Sequence, residues 1–180
     1  NNGIDLGYVE DVAAYPWTVG QYHNPRSTVE FTGPPVGGTF LSYHRGVMCM
    51  AVESAVFHSM PIAPDLWDLS TGFLLMGSAI SALFSAGDAL YVADADATYA
   101  FVGPTLADAE KVKICPYPAV HGSFIVPDKQ PSQVMFVAGG RVYSSDGRKA
   151  ADITGEKLTF DNKITGAAYQ TSTHYHVSLR

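Results

Sequence analysis

The stretch YVADADATYAF, residues 91–101, decides how the chain is read. It sets Asp94 and Asp96 one residue apart between aromatic and β-branched neighbours, so it reads either as a cation site or as the tip of a β-hairpin. A DxD pair alone lacks the several oxygen donors at fixed offsets that calcium requires. The flanking residues alternate with a period of two, and Asp is a favoured turn residue. The hairpin reading therefore leads.

Two other stretches repeat this pattern. RGVMCMAVESAVFHS (45–59), AGDALYVADADATYAFVG (86–103) and QVMFVAGGRVYSS (133–145) each hold a strand ending in Ala, a short turn, and a strand with an aromatic residue. The paired residues are Ala51 with Phe57, Ala93 with Tyr99, and Ala138 with Tyr143, and the alanines are 42 and 45 residues apart. In this frame Asp94 and Asp96 coincide with Glu53-Ser54 and Gly139-Gly140, which are hairpin connections. Periods of about 40 to 50 residues built from short strands mark propeller blades, and a sandwich gives regular strands without this self-similarity. The expected fold class is all-β, with β-propeller-like blades of short antiparallel strands.

Strands are predicted at 39–44, 47–52, 55–59, 80–84, 89–93, 98–102, 110–115, 134–138, 141–144, 157–160, 166–169 and 174–179, separated by Gly, Pro and Asp turns. The single helical turn expected is APDLWDL, 63–69. Residues 1–180 read as one propeller-like domain, with 1–35 as an incomplete first blade or a docking arm. About four blades are at the low end for ring closure, so further N-terminal sequence, strands from a partner, or an open ring is expected.

Composition narrows the functions. The 180 residues are 47% hydrophobic with a net charge of −6. The charge is uneven: residues 1–110 carry twelve acids against Arg26 and Arg45, whereas 111–180 carry nine bases and five acids. An acidic surface repels phosphate, which argues against sequence-specific nucleic-acid binding. Cys49 and Cys115 cannot build a disulfide framework and sit in no zinc spacing, so a reduced, intracellular place of synthesis is the default. Asp5, Glu10 and Asp11 would spoil a signal peptide at the start. The uncharged run 70–87 is diluted by Gly and Ser and reads as buried strands rather than a membrane span.

Other constellations are weaker. His174 and His176 share a strand face and could chelate a metal, but no third ligand follows from the sequence, and a solvated strand face is the plainer reading. No metal or other cofactor is assigned. Glu53, Asp65, Asp68, Asp94 and Asp96 could supply a glycosidase pair, yet no spacing selects one. There is no GxSxG, HExxH or phosphate-binding glycine loop, and Cys49 in VMCMA reads as a small buried hydrophobe. The chain is read as non-enzymatic. Exposed aromatics and prolines anchor interfaces, so Tyr15, Pro16 and Trp17, together with Pro61, Pro64 and Trp67, are the candidate docking residues, with Trp67 fitting a core position equally well.

FHSMPIAPDLWDL (57–69) followed by ISALFSAGDALYVADADATYAFVG (80–103) resembles a group of tailed-bacteriophage virion proteins of the β-propeller tail hub or packaged-DNA-stabilisation type. KVKICPYPAVHGS (111–123) and HYHVSLR (174–180) are similar to that group's later strands. The resemblance spans roughly 36–180; His58-Ser59-Met60 and a short 152–163 segment depart from it. It implies a structural part of the virion tail or neck, assembled in the host cytoplasm as a ring of copies. Portal or adaptor proteins would lie above it, and nozzle, needle or fibre proteins below. Asp94 and Asp96 would face the DNA channel, where like charge lets the duplex slide. Two alternatives stand beside it: a carbohydrate-binding or glycoside-cleaving propeller, and a cellular protein-interaction propeller.

Overall fold

The computed structural model describes residues 32–128, 130–157, 159, 161, 165–171 and 174–180. Within them the protein is all-β, with several small antiparallel sheets and no α-helix. Sheet 1 contains β1 (Phe40–His44), β2 (Val47–Val52), β3 (Ala55–Met60) and β4 (Ala63–Trp67) in that order, with β5 (Phe73–Leu75) also paired to β3. Sheet 2 is the meander β6 (Ala82–Ala86), β7 (Ala89–Ala93), β8 (Thr98–Val102) and β9 (Glu110–Cys115). Sheet 3 contains β10 (Val134–Ala138), β11 (Arg141–Ser145) and β12 (Ala150–Asp152), and sheet 4 contains β13 (Gly166–Gln170) and β14 (Tyr175–Leu179). Bridges Ala119↔Ala138 and Ile125↔Met135 lay the extended segment 119–125 along the free side of β10, where sheets 1 and 2 have β1 and β6.

Local chemistry explains the hairpins. Two-residue connections twist in the hand of the strands only when backbone φ turns positive. Gly139 and Gly140 have φ of +54° and +73° at the β10–β11 turn, and Arg45 and Gly46 have +46° and +92° at β1–β2. The three repeated alanines, Ala51, Ala93 and Ala138, are all fully buried. Their hairpins also lie at one end of the molecule. Met76 and Ile80 donate backbone N–H to Ser54 and Glu53, and Ser81 donates to Ala93. Thr98 then bonds the Tyr117 carbonyl, and the Tyr117 ring lies against Gly139.

The sheets stack face on face, with a core in each gap. Cys49, Ala51 and Val56 of sheet 1 meet Leu83, Leu90, Val92 and Phe101 of sheet 2. The opposite face of sheet 2 presents Phe84 and Tyr91 to Phe136 and Tyr143 of sheet 3. Phe84 stacks on Tyr91 at 5.0 Å and on Phe124 at 4.6 Å. Val137 and Val142 on the far side of sheet 3 are packed by Tyr175, Val177 and Leu179 of sheet 4. Across the inner strands, Phe40 lies 4.6 Å from the His121 ring. Among the described residues the sheets form no closed barrel or ring.

Three expectations are corrected. Residues 63–69 form no helical turn: Ala63–Trp67 is a strand, because Met60-Pro61-Ile62-Ala63 turns the chain back onto β3. Of the strand expected at 157–160, Lys157 instead closes a short 3-10 turn begun at Gly155, and Leu158 and Phe160 lie outside the described residues. The strand placed at 80–84 runs from Ala82 to Ala86, set by pairing of Ala86 with Ala89 across the Gly87-Asp88 turn. β5 and β12, three residues each, were not anticipated.

Candidate docking surfaces

Asp94 is 1% exposed, and its carboxylate is spent on its own turn. Oδ1 accepts the backbone N–H groups of Asp96 and Ala97, each at 3.0 Å, while the Ala97 carbonyl accepts the Asp94 N–H. This is an Asx-type cap closing the β7–β8 hairpin. Asp96 is exposed. Of the two acids expected to face a channel, only Asp96 presents itself to solvent.

Pro61 and Ile62 form the exposed tip between β3 and β4, at the end of the stack opposite Asp94. The Ile62 N–H donates to the Gly46 carbonyl at 2.8 Å. At that same end Arg45 donates to the Gly103 carbonyl at 3.0 Å and lies 3.8 Å from Asp88. Ile62 has φ of +62°, a region that β-branched residues rarely occupy, and it is 90% exposed. Pro64 is exposed. Trp67 is 1% exposed, pairs with Ser59 and Thr32, and donates its indole N–H to the Pro64 carbonyl at 2.8 Å. The structure thus gives Trp67 the core position, and of the docking candidates Pro61 and Pro64 stay at the surface, with Ile62 exposed between them. Tyr15, Pro16 and Trp17 lie outside the described residues.

Several of the remaining titratable groups have local partners. Asp68 accepts the backbone N–H of Ser70 and of Thr71 and both their hydroxyls, and these bonds, led by the Ser70 hydroxyl, hold its carboxyl well below the usual carboxylate range. Glu53 and Asp65 are exposed on separate segments of sheet 1. Burial pushes the Cys49 thiol up to about 12, so it carries no thiolate at neutral pH. His44 is buried at the sheet 1–sheet 2 junction with Nδ1 2.8 Å from Ser85 Oγ, and burial, with Arg45 next to it, lowers its pKa. The His174 and His176 rings are 5.9 Å apart, and His176 stacks on Tyr169 at 4.6 Å. Among the described residues no three His, Cys, Asp or Glu side chains gather into a metal site. No described helix is long and apolar enough to cross a membrane.

One surface escaped the sequence reading. Leu41, Tyr43 and Leu75 are 57%, 65% and 63% exposed on the outer face of sheet 1. Cross-strand pairing places Met50 opposite Leu41 and Phe57, and Met48 opposite Tyr43, on that same face. Phe57 in turn meets Phe73, with ring centroids 5.8 Å apart. The signal was legible in VMCMAV, where both alternating sets are apolar, a pattern that marks a sheet covered on both faces.

No protein-family model matches the chain, and no curated protein matches it. Among solved structures it is similar to the computationally designed Ika4 protein, at 9% identity and a TM-score of 0.50, over 77% of this chain and 88% of that one. At that identity the likeness is one of fold. Fold and surface together define an all-β protein of stacked antiparallel sheets with apolar faces and tips available for contact.

Proposed function

We propose that this protein is a non-enzymatic structural component of a bacteriophage virion, a hub-type part of the tail or neck, in which the stacked sheets are successive blades of a β-propeller. The observation that carries this reading is the repeated meander. Three sheets start from an inner strand, turn at equivalent hairpins at one end, and bury their faces against the next sheet. Such a stack is a rigid block whose loops crowd its two ends, which suits docking of separate partners above and below. Pro61, Ile62 and Pro64 supply an apolar tip at one end; Asp96 contributes charge at the other. Of the side chains that a glycosidase or a lectin would use, Asp94 and Asp68 are committed to turns and Trp67 to the interior, which leaves Glu53, Asp65 and Asp96 exposed on separate segments. Portal, adaptor, nozzle, needle or fibre proteins are the partner classes, and the host cytoplasm is the place of assembly.

The test is to purify particles from cells producing the phage and to locate the chain by peptide mass spectrometry and by gold-labelled antibody. Stoichiometric presence at the tail or neck supports the reading. Absence from particles, with the chain free in the lysate, would overturn it. Asp96→Lys in such particles should slow DNA ejection without blocking assembly; unchanged ejection would remove the channel role.

A further inference from the structure

Every sheet face in the described chain is covered by a neighbouring sheet except two, and the two differ. The outer face of sheet 1 is broad and apolar, with Leu41, Tyr43 and Leu75 largely exposed over Met48, Met50 and Phe57. The outer face of sheet 4 is narrow, with the Tyr169–His176 stack standing beside the cross-strand pair of small residues Ala167 and Ser178. Apolar side chains on both faces of a sheet are what a covered sheet needs. Sheets 1, 2 and 3 each bury one face against the next sheet, so the uncovered face of sheet 1 continues the same series of interfaces.

We propose that this face is covered by the β13–β14 sheet of a second copy of the chain, joined head to tail. Charge favours that occupant: with histidines left aside, the sheet 1 segment 40–76 carries Glu53, Asp65 and Asp68 against Arg45, whereas 165–180 carries Arg180 and no acid. An exposed cluster of this apolar character is also uncommon on a chain that stays single. Because the two faces are different surfaces, the contact is heterologous. It either closes into a small ring of chains or extends. The inference deepens the hub reading, in that blades missing from one chain are supplied by the next.

The experiment uses the full chain. Tyr43→Cys and Ala167→Cys copies, with different tags, are mixed and treated with a bismaleimide that spans about the 10 Å between packed sheets; the native Cys49 and Cys115 are buried and serve as background. The expected product is a covalent pair of one copy of each kind, with neither variant coupling to itself. Light scattering of the unmodified protein should give a multiple of 19.3 kDa. Leu41→Lys with Tyr43→Lys should reduce that to a single chain with an unchanged far-UV spectrum, and rising salt should shift the unmodified protein the same way. Self-coupling of Tyr43→Cys would show a symmetric contact and overturn the proposal. So would a single-chain mass for the unmodified protein, which would mean that the face is covered within its own chain or by a different protein. Either result leaves the presence or absence of the chain in virions to be decided by the particle analysis, so the two readings fail separately.

Discussion

Asp94 shows how one side chain settles a choice of chemistries. A carboxylate that accepts two backbone N–H groups while buried has little left to offer a cation or a channel. Asp94→Ala leaves both donors without their acceptor and should cost about 1–3 kcal/mol in urea unfolding, whereas Asp96→Ala should cost well under that. Ile62 is the opposite case, a residue in a backbone region that its side chain disfavours. Ile62→Asn should raise stability by roughly 0.5–1 kcal/mol in the same measurement, because Asn tolerates positive φ. His44 sets a pH limit. Its folded pKa lies below the 6.5 of the free side chain, so the unfolded chain takes up the proton first. Its contribution is intact above pH 6.5 and is lost as pH falls through that value toward the folded pKa. Denaturation midpoints followed from pH 7.5 to 5 should fall on the acid side, and His44→Gln should flatten that fall.

At the scale of elements, turn chemistry marked most strands correctly, and its failures share a cause. β2, β7, β8, β9 and β10 begin and end where Gly, Pro and Asp signals and period-two alternation put them. Residues 63–69 deceived because Leu66 and Leu69 have helical spacing, whereas β4 is held by pairing of Trp67 with Ser59, eight residues back, and with Thr32. β5 pairs with β3 across the Asp68 turn, and no local pattern advertises a three-residue strand. Sheet 4 is attached through a close backbone approach that only glycine permits. A Cβ at Gly122, where φ is +78°, would lie 1.9 Å from the Gly166 carbonyl oxygen. Gly122→Ala should therefore cost about 2–4 kcal/mol, and hydrogen exchange should show β13 and β14 losing protection before β6–β9.

At the scale of the whole molecule, the stack makes stability a shared property. Sheet 2 contributes to two cores at once, and Phe84 sits among Tyr91, Phe124 and Phe136 in one of them. Phe84→Ala should lower stability by about 3–5 kcal/mol, and far-UV circular dichroism should report one transition moved to lower denaturant rather than a separate early step. Two transitions would show that the sheets unfold independently. The uneven charge also belongs to this scale, because it sets opposite signs on the segments of sheet 1 and sheet 4, the outermost sheets of the stack, and would give the proposed association of chains a direction.

The sequence by itself determined the all-β class, most strand positions and the self-similar hairpins, because turn residues and side-chain alternation are local consequences of backbone sterics. It also carried the apolar doubling of β2, which puts apolar side chains on both faces of sheet 1. Only the tertiary structure decided that Asp94 points inward, that Trp67 is buried, and that the Pro61 tip and the Asp96 turn lie at opposite ends. It likewise decided which sheet faces are left uncovered among the described residues. Those outcomes depend on which segments meet across long separations in the chain, and burial is a property of that meeting rather than of any residue's neighbours in sequence.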